Sequence, residues 1–271
     1  MSITDRFRVF HELHESGCFV IPNPWDVGTA RVLATMGFKA LATTSAGFAW
    51  SVGCRDNHVR LDQALDHFRA VAGSVDIPVS GDFEGGFGIE PAAVADHVAA
   101  AAATGLAGLS IEDSTHDPAK PLFDFALSVE RVRAARKAID GSGTRVLLVG
   151  RSEGFISGRP DLDETIRRLT AYAEAGAHCV YAPGIRSIEQ IATVVAAVSP
   201  TPVNVGVGSD FTTVGALAEA GVRRISVGGA LARAAWTGFL QAATEIAGQG
   251  TFTALGRAKP GAEVNGLFDG K

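Results

Sequence analysis

Short apolar runs rich in β-branched residues alternate along this chain with longer segments whose apolar positions recur at helical spacing. The short runs fall at Cys18–Pro22, Ala40–Thr44, Pro78–Asp82, Gly108–Glu112, Val146–Gly150, Cys179–Ala182, Val203–Val207 and Arg224–Gly228. Helical patterns cover Trp25–Met36, Leu61–Val75, Pro91–Thr104, Val129–Asp140, Leu162–Ala175, Ser187–Val198, Thr212–Ala220 and Ala230–Ala247. Several of them close on AGV, AGA, TGL or MGF just before the next run, where a glycine supplies the left-handed residue that stops a helix. Proline then often opens the strand, as in IPVSG and TPVNVG. Eight strand–helix units in about 250 residues predict an α/β fold of the (β/α)8 TIM-barrel type. A doubly wound open sheet shares the alternation, but eight regular units without a dinucleotide fingerprint favour the barrel. One domain is expected over 1–271, with a C-terminal extension from about residue 248. That glycine-rich tail is expected on the surface or on a partner subunit.

Composition narrows the classes. Hydrophobic residues make up 46% of 271, enough for a substantial core, and net charge is −5. No basic stripe stands out, so a nucleic-acid partner is not expected. The N-terminal MSITDRFRVF lacks a signal-peptide pattern, and no stretch is long and apolar enough to span a bilayer. Cys18, Cys54 and Cys179 are scattered, with no CxxC pair and no zinc spacing. A soluble cytoplasmic protein is the expectation.

In such barrels chemistry sits at the C-terminal ends of the strands. Asn23 and Asp26 follow strand one, and Thr43, Thr44 and Ser45 end strand two. Strand three runs through PVSGDFEGGFG into Asp82 and Glu84, which strand alternation would point the same way. Glu112 and Asp113 end strand four, Arg151 and Glu153 strand five, Tyr181 strand six and Asn204 strand seven. Like charges so crowded repel unless something positive holds them, and a hard divalent cation with oxygen ligands is the obvious candidate. Each residue has a plainer role open to it. Asp82 and Glu84 can cap a turn, Thr44 and Ser45 a helix. Asp56, in the charged loop CRDNHVR, can be solvated, and Arg151 can be a counter-ion. Asp113 suits orienting a neighbour, and His58 and His116 suit solvent-facing loops. Trp25, Trp50 and Trp236 suit packing or interfaces.

Together these segments resemble the isocitrate lyase/phosphoenolpyruvate mutase superfamily. NPWDVGTARVLATMGFKALATTSAG at 23–47, SVGCRD at 51–56, GDFEGGFG at 81–88, LSIEDS at 109–114 and RSEGF at 151–155 carry the resemblance, which extends through SVGGALARAAW at 226–236. It implies a Mg2+-dependent barrel enzyme, with Mn2+ as an alternative ion, acting on small 2-oxo or 2-hydroxy carboxylates through enolpyruvate-like anions. By similarity Asp82, Glu84 and Glu112 surround the metal, several of them through water. Asp56 sits beside metal and substrate, and Thr44, Ser45 and Ala46 hold the substrate carboxylate. Arg151 neutralises the substrate or leaving group, with Glu153 backing it up. Trp25 and Asn204 complete the substrate-binding set. The family tends to form tetramers, dimers of dimers, in which the last barrel helix is exchanged with a neighbouring subunit.

Departures from the family pattern sort the reactions. Isocitrate and methylisocitrate lyases carry a K-[KR]-C-G-H loop after strand four; here STHDPAKPLFD, residues 114–124, has no cysteine. Phosphonate-handling members carry a lysine and an asparagine in that gate; here Lys120 stands without an asparagine. The resemblance therefore implies a carbon–carbon lyase or decarboxylase, oxaloacetate decarboxylase-like or methylisocitrate lyase-like, on a small di- or tricarboxylate. A phosphonomutase or phosphonopyruvate hydrolase, and a non-catalytic metabolite-binding barrel, are the alternatives.

Overall fold

The structure, a computed structural model, describes residues 2–269; Met1, Gly270 and Lys271 of the expected domain lie outside the described residues. Eight parallel strands form one sheet: β1 (Phe19–Ile21), β2 (Leu41–Ala42), β3 (Val79–Asp82), β4 (Gly108–Glu112), β5 (Leu147–Arg151), β6 (Cys179–Tyr181), β7 (Val203–Gly206) and β8 (Arg224–Ser226). The strand order β1-β8-β7-β6-β5-β4-β3-β2 leaves one seam, between β1 and β2. The Ala42 amide closes it by donating to the Pro22 carbonyl at 3.1 Å. Asn23 adds a clamp: its Nδ2 donates to the Thr43 carbonyl, while its Oδ1 accepts from the Val227 and Gly228 amides. The expected (β/α)8 barrel is what the chain forms.

Helices α2 (Val27–Thr35), α4 (Leu61–Gly73), α5 (Pro91–Ala102), α6 (Phe125–Gly141), α7 (Leu162–Glu174), α8 (Ile188–Val198), α9 (Val214–Glu219) and α10 (Ala230–Gln249) alternate with the strands. Their starts are written in the sequence: Asp26 caps α2 by accepting the Thr29 amide at 2.7 Å, and Asp161 caps α7 by accepting that of Glu164 at 2.9 Å. Their ends are too: Gly176 at φ 104° and Gly221 at φ 84° follow α7 and α9 in a backbone that L side chains rarely adopt. Three helices lie outside the alternating pattern: α1 (Ile3–Glu15), α3 (Ser45–Ser51) and α11 (Gly261–Gly266), the last within the C-terminal extension after a 3-10 turn at Thr253–Arg257.

Helix α1 plugs the N-terminal end of the barrel. Phe10 is fully buried there, and a Cβ at Gly108 on β4 would come within 2.6 Å of its Cε1. Only glycine lets the ring in, and burying it contributes roughly 1.5–3 kcal/mol. The opposite end stays open as the mouth.

Candidate active site

Arg151 is the hub of the mouth. Glu112 and Arg151 are register partners on β4 and β5, so their side chains emerge side by side on the inner face. Arg151 Nη1 stands 3.2 Å from both Glu112 Oε2 and Asp82 Oδ1, and Nε donates to Glu153 Oε1. All four side chains are largely buried, so removing the cation would strand three carboxylates. Burial works against the charge of Arg151, yet Glu153, Glu112 and Asp82 hold its pKa well above the ordinary arginine value. Burial pushes Glu112 well up, with Arg151 pulling the other way, and it raises Glu153 likewise.

Glu84 reaches the cluster by a route the strand pattern does not give. β3 stops at Asp82, and Glu84 lies beyond it at φ 47°, a rare left-handed conformation for a glutamate. Strand alternation therefore does not align the two acids; the turn does. Burial, then the charges of Asp82 and Asp56, push the Glu84 carboxyl up to about 8. The turn is propped from behind by Arg131 of α6, which donates to the carbonyls of Gly85 and, at 3.0 Å, Gly88. Its guanidinium also stacks 3.9 Å from the Phe123 ring centre.

Helix α3 begins at the mouth, with Thr44 as its cap. Ser45 donates to Asp82 Oδ2 twice, from its amide at 3.0 Å and its hydroxyl at 2.9 Å. Thr43 Oγ1 accepts the Asp82 amide at 2.9 Å, so Asp82 is fixed at both backbone and carboxylate. Asp56, in the loop after α3, is half-buried beside them; burial and Asp82 raise its pKa. Thr44, Ser45, Ala46, Asp56, Asp82, Arg151 and Asn204 all line one cavity of about 380 Å3 that opens at the mouth. Glu84, Glu112 and Glu153 stand behind that wall, and Trp25 packs with its Cβ near Gly47 rather than on the wall.

Behind the mouth, Asp113 is held by two residues of α7, Tyr172 and Arg168, that strand-end position does not single out. Asp113 accepts the Glu153 amide at 2.8 Å on Oδ1, and on Oδ2 the Tyr172 hydroxyl at 2.6 Å and Arg168 at 3.1 Å. It orients the Arg151–Glu153 segment, the neighbour-orienting role its position suggested. His116 turns back at φ 58° to place Nε2 3.4 Å from Glu112 Oε1. Burial lowers its pKa, so the ring is neutral at pH 7. Arg186 and Arg233 also line the cavity, and neither stands at a strand end.

The profile of the phosphoenolpyruvate phosphomutase family matches residues 10–247. The chain belongs to that family. A solved structure of a Burkholderia cenocepacia J2315 protein, provisionally assigned as a lyase/mutase, is 47% identical, with a TM-score of 0.95 over 98% of this chain and 97% of that one. An uncharacterised Mycobacterium tuberculosis protein is 34% identical over 81% of each chain. Oxaloacetate decarboxylase 2 of Pseudomonas fluorescens is 27% identical over 69% of this chain and 65% of its own length. Together with neighbours from the PEP mutase/isocitrate lyase superfamily, these matches bear out the resemblance read from the motifs.

Within this family fold residues 114–124, after β4, bond to one another. Ser114 bridges Leu122, the Thr115 amide donates to the Pro121 carbonyl at 3.0 Å, and Lys120 pairs with Asp124 at 2.8 Å, off the cavity wall. The donor chemistry at the mouth fits a hard divalent cation. Asp56, Asp82, Glu84 and Glu112 offer only oxygen, and Arg151 is the guanidinium shared by Asp82, Glu112 and Glu153. Among the described residues no three His, Cys, Asp or Glu side chains stand close enough together to hold a metal ion by themselves.

Proposed function

We propose that this protein is a Mg2+-dependent decarboxylase or carbon–carbon lyase acting on a small 2-oxo or 2-hydroxy dicarboxylate, with oxaloacetate the first substrate to test. The observation that carries the reading is the Asp82–Arg151–Glu112 frame at the mouth, a buried acid cluster spanned by one guanidinium. Asp82, Glu84 and Glu112 would hold the ion, with Asp56 beside it. When bound, Mg2+ supplies Lewis-acid polarisation of the substrate's carbonyl oxygen.

The chain's own residues do the rest. The Ala46 amide at the start of α3 would receive the carboxylate next to that carbonyl, while the Ser45 amide and hydroxyl hold Asp82 in place. Loss of CO2 from C4 of oxaloacetate needs no general base, because the departing carboxylate is already ionised. The C3–C4 electron pair becomes an enolate with its charge on the C2 oxygen, and Arg151 steadies that charge in a site largely shielded from water. A proton added at C3 gives pyruvate. Two further observations support the reading over phosphonate chemistry or a thiol acid: Lys120 lies off the cavity wall, in an exposed pair with Asp124, and no cysteine lines the cavity. Incubation with oxaloacetate, substituted malates and phosphonopyruvate, with and without Mg2+, tests it by coupled assay. Mg2+-dependent pyruvate release from oxaloacetate or a malate supports it; phosphate release from phosphonopyruvate alone overturns it.

The working unit in this proposal is a homo-oligomer. Trp236, Phe239 and Leu240 stand exposed on α10, with Trp236 and Phe239 edge-to-face at 5.4 Å, an apolar face suited to a second copy of this chain.

A further inference from the structure

Two residues down each strand from the mouth, the barrel interior is unexpectedly polar. Barrels of this type fill with bulky branched side chains. Here β3, β4, β7 and β8 contribute Ser80, Ser110, Asn204 and Arg224, all buried and all lining the mouth cavity, which therefore runs down into the barrel. Arg224 is only 5% exposed, and its Nε and Nη1 have no hydrogen-bond partner. Arg151 and Arg168 each have a carboxylate within 3.2 Å; Arg131, 1% exposed, has none and likewise leaves Nε and Nη1 unpartnered, but its Nη2 is held by the Gly85 and Gly88 carbonyls. Arg224 has no carboxylate: apart from burial, the groups acting on it are Cys179 and Tyr181. Burial pushes the Cys179 thiol up to about 11 and raises Tyr181 as well, so both are neutral at pH 7. Beneath it lies the Phe10 ring, 5.9 Å from the guanidinium, which offers a weak cation–π contact and closes the floor. A guanidinium does not shed its proton in a protein, and a buried charge without a counter-charge is costly.

We propose that Arg224, with the hydroxyls of Ser80 and Ser110 and the amide of Asn204, forms an anion-binding chamber inside the barrel. It takes one compact anion. The source is either a free inorganic ion or a carboxylate of a ligand reaching down from the mouth.

The probe is bromide. Thermal unfolding of the EDTA-treated full chain is followed as sodium bromide replaces sodium gluconate at constant ionic strength, and crystals grown in bromide are examined by anomalous scattering. A saturable rise in Tm of roughly 2–4 °C is expected, absent in Arg224→Met, with an anomalous peak beside Arg224. The wild-type anomalous peak stands as a test even if the variant does not fold. Repeating the titration with Mg2+ and saturating oxalate separates the sources: loss of the bromide effect assigns the chamber to a ligand carboxylate, and its persistence assigns it to the inorganic ion. The proposal is overturned if bromide gives neither effect while Arg224→Met and Arg224→Lys bind oxalate as tightly as wild type. The bromide arm involves no turnover, so it stands or falls apart from the decarboxylase reading.

Discussion

Arg151 and Asp82 meet at 3.2 Å across the barrel mouth, joining β5 to β3 over the intervening β4. Asp82 is pinned from its other side by Ser45, so its carboxylate is oriented before any ligand arrives. Replacing it should strike chemistry harder than folding. Asp82→Ala is expected to lower Mg2+-dependent kcat for oxaloacetate roughly 100- to 1,000-fold. Its far-UV circular dichroism should stay as in wild type. Undiminished turnover would remove Asp82 from the site.

Arg151→Met tests the opposite partner. It strands Asp82, Glu112 and Glu153 around an apolar side chain, a change expected to cost about 3–5 kcal/mol in urea unfolding. Because the carboxylates then favour protonation, the loss should shrink as pH falls. A loss independent of pH would mean that the acids are solvated in the variant.

Glu84 sets a pH dependence of the metal-free protein. Its folded pKa, about 8, lies above its unfolded value, so its contribution is fully present below about pH 4.5. The unfolded chain ionises first, and stability falls between about pH 4.5 and 8. In EDTA, Tm should therefore drop across that window, and Glu84→Gln should flatten part of the drop. Mg2+, which favours the ionised carboxylate, should raise Tm more at pH 8 than at pH 5. The same drop in Glu84→Gln would place its origin elsewhere.

Tyr172→Phe isolates the support behind Arg151. Asp113 keeps its bonds to Arg168 and the Glu153 amide but loses the 2.6 Å hydroxyl contact. About 1–2 kcal/mol of stability should go, with kcat changed only a few-fold. A collapse of kcat at full stability would give Tyr172 a direct part in the chemistry.

The α10 face is tested by Phe239→Glu, which puts a charge in the middle of the exposed apolar patch. Size-exclusion with light scattering should show wild type as a multimer and the variant as a smaller species. An identical mass for the two would leave the patch without a second copy.

The eight-unit alternation and the strand-end acids were legible because each is local: a period, a helix stop, or a contiguous motif such as GDFEGGFG. What escaped depended on distance along the chain or on a single backbone angle. Arg131, Arg168 and Tyr172 lie on α6 and α7, where nothing in helical spacing says that they reach Gly85, Gly88 or Asp113. Glu84 joins Asp82 through a left-handed turn rather than through alternation. SAGFAWS is too short for a periodic signal, so only the helix-capping role open to Thr44, which the structure shows it filling, pointed to α3. Arg224 looks like any charged residue opening a strand until the barrel closes around it.

With Phe10 stoppering the far end of the cylinder, everything that goes in must come back out past Arg151 and Ser45. The barrel is a blind alley rather than a tunnel. For the proposed enzyme, product would have to vacate before fresh substrate arrives, which would make the product a rival for the same doorway and tie the pace of repeated turnover to how readily it backs away.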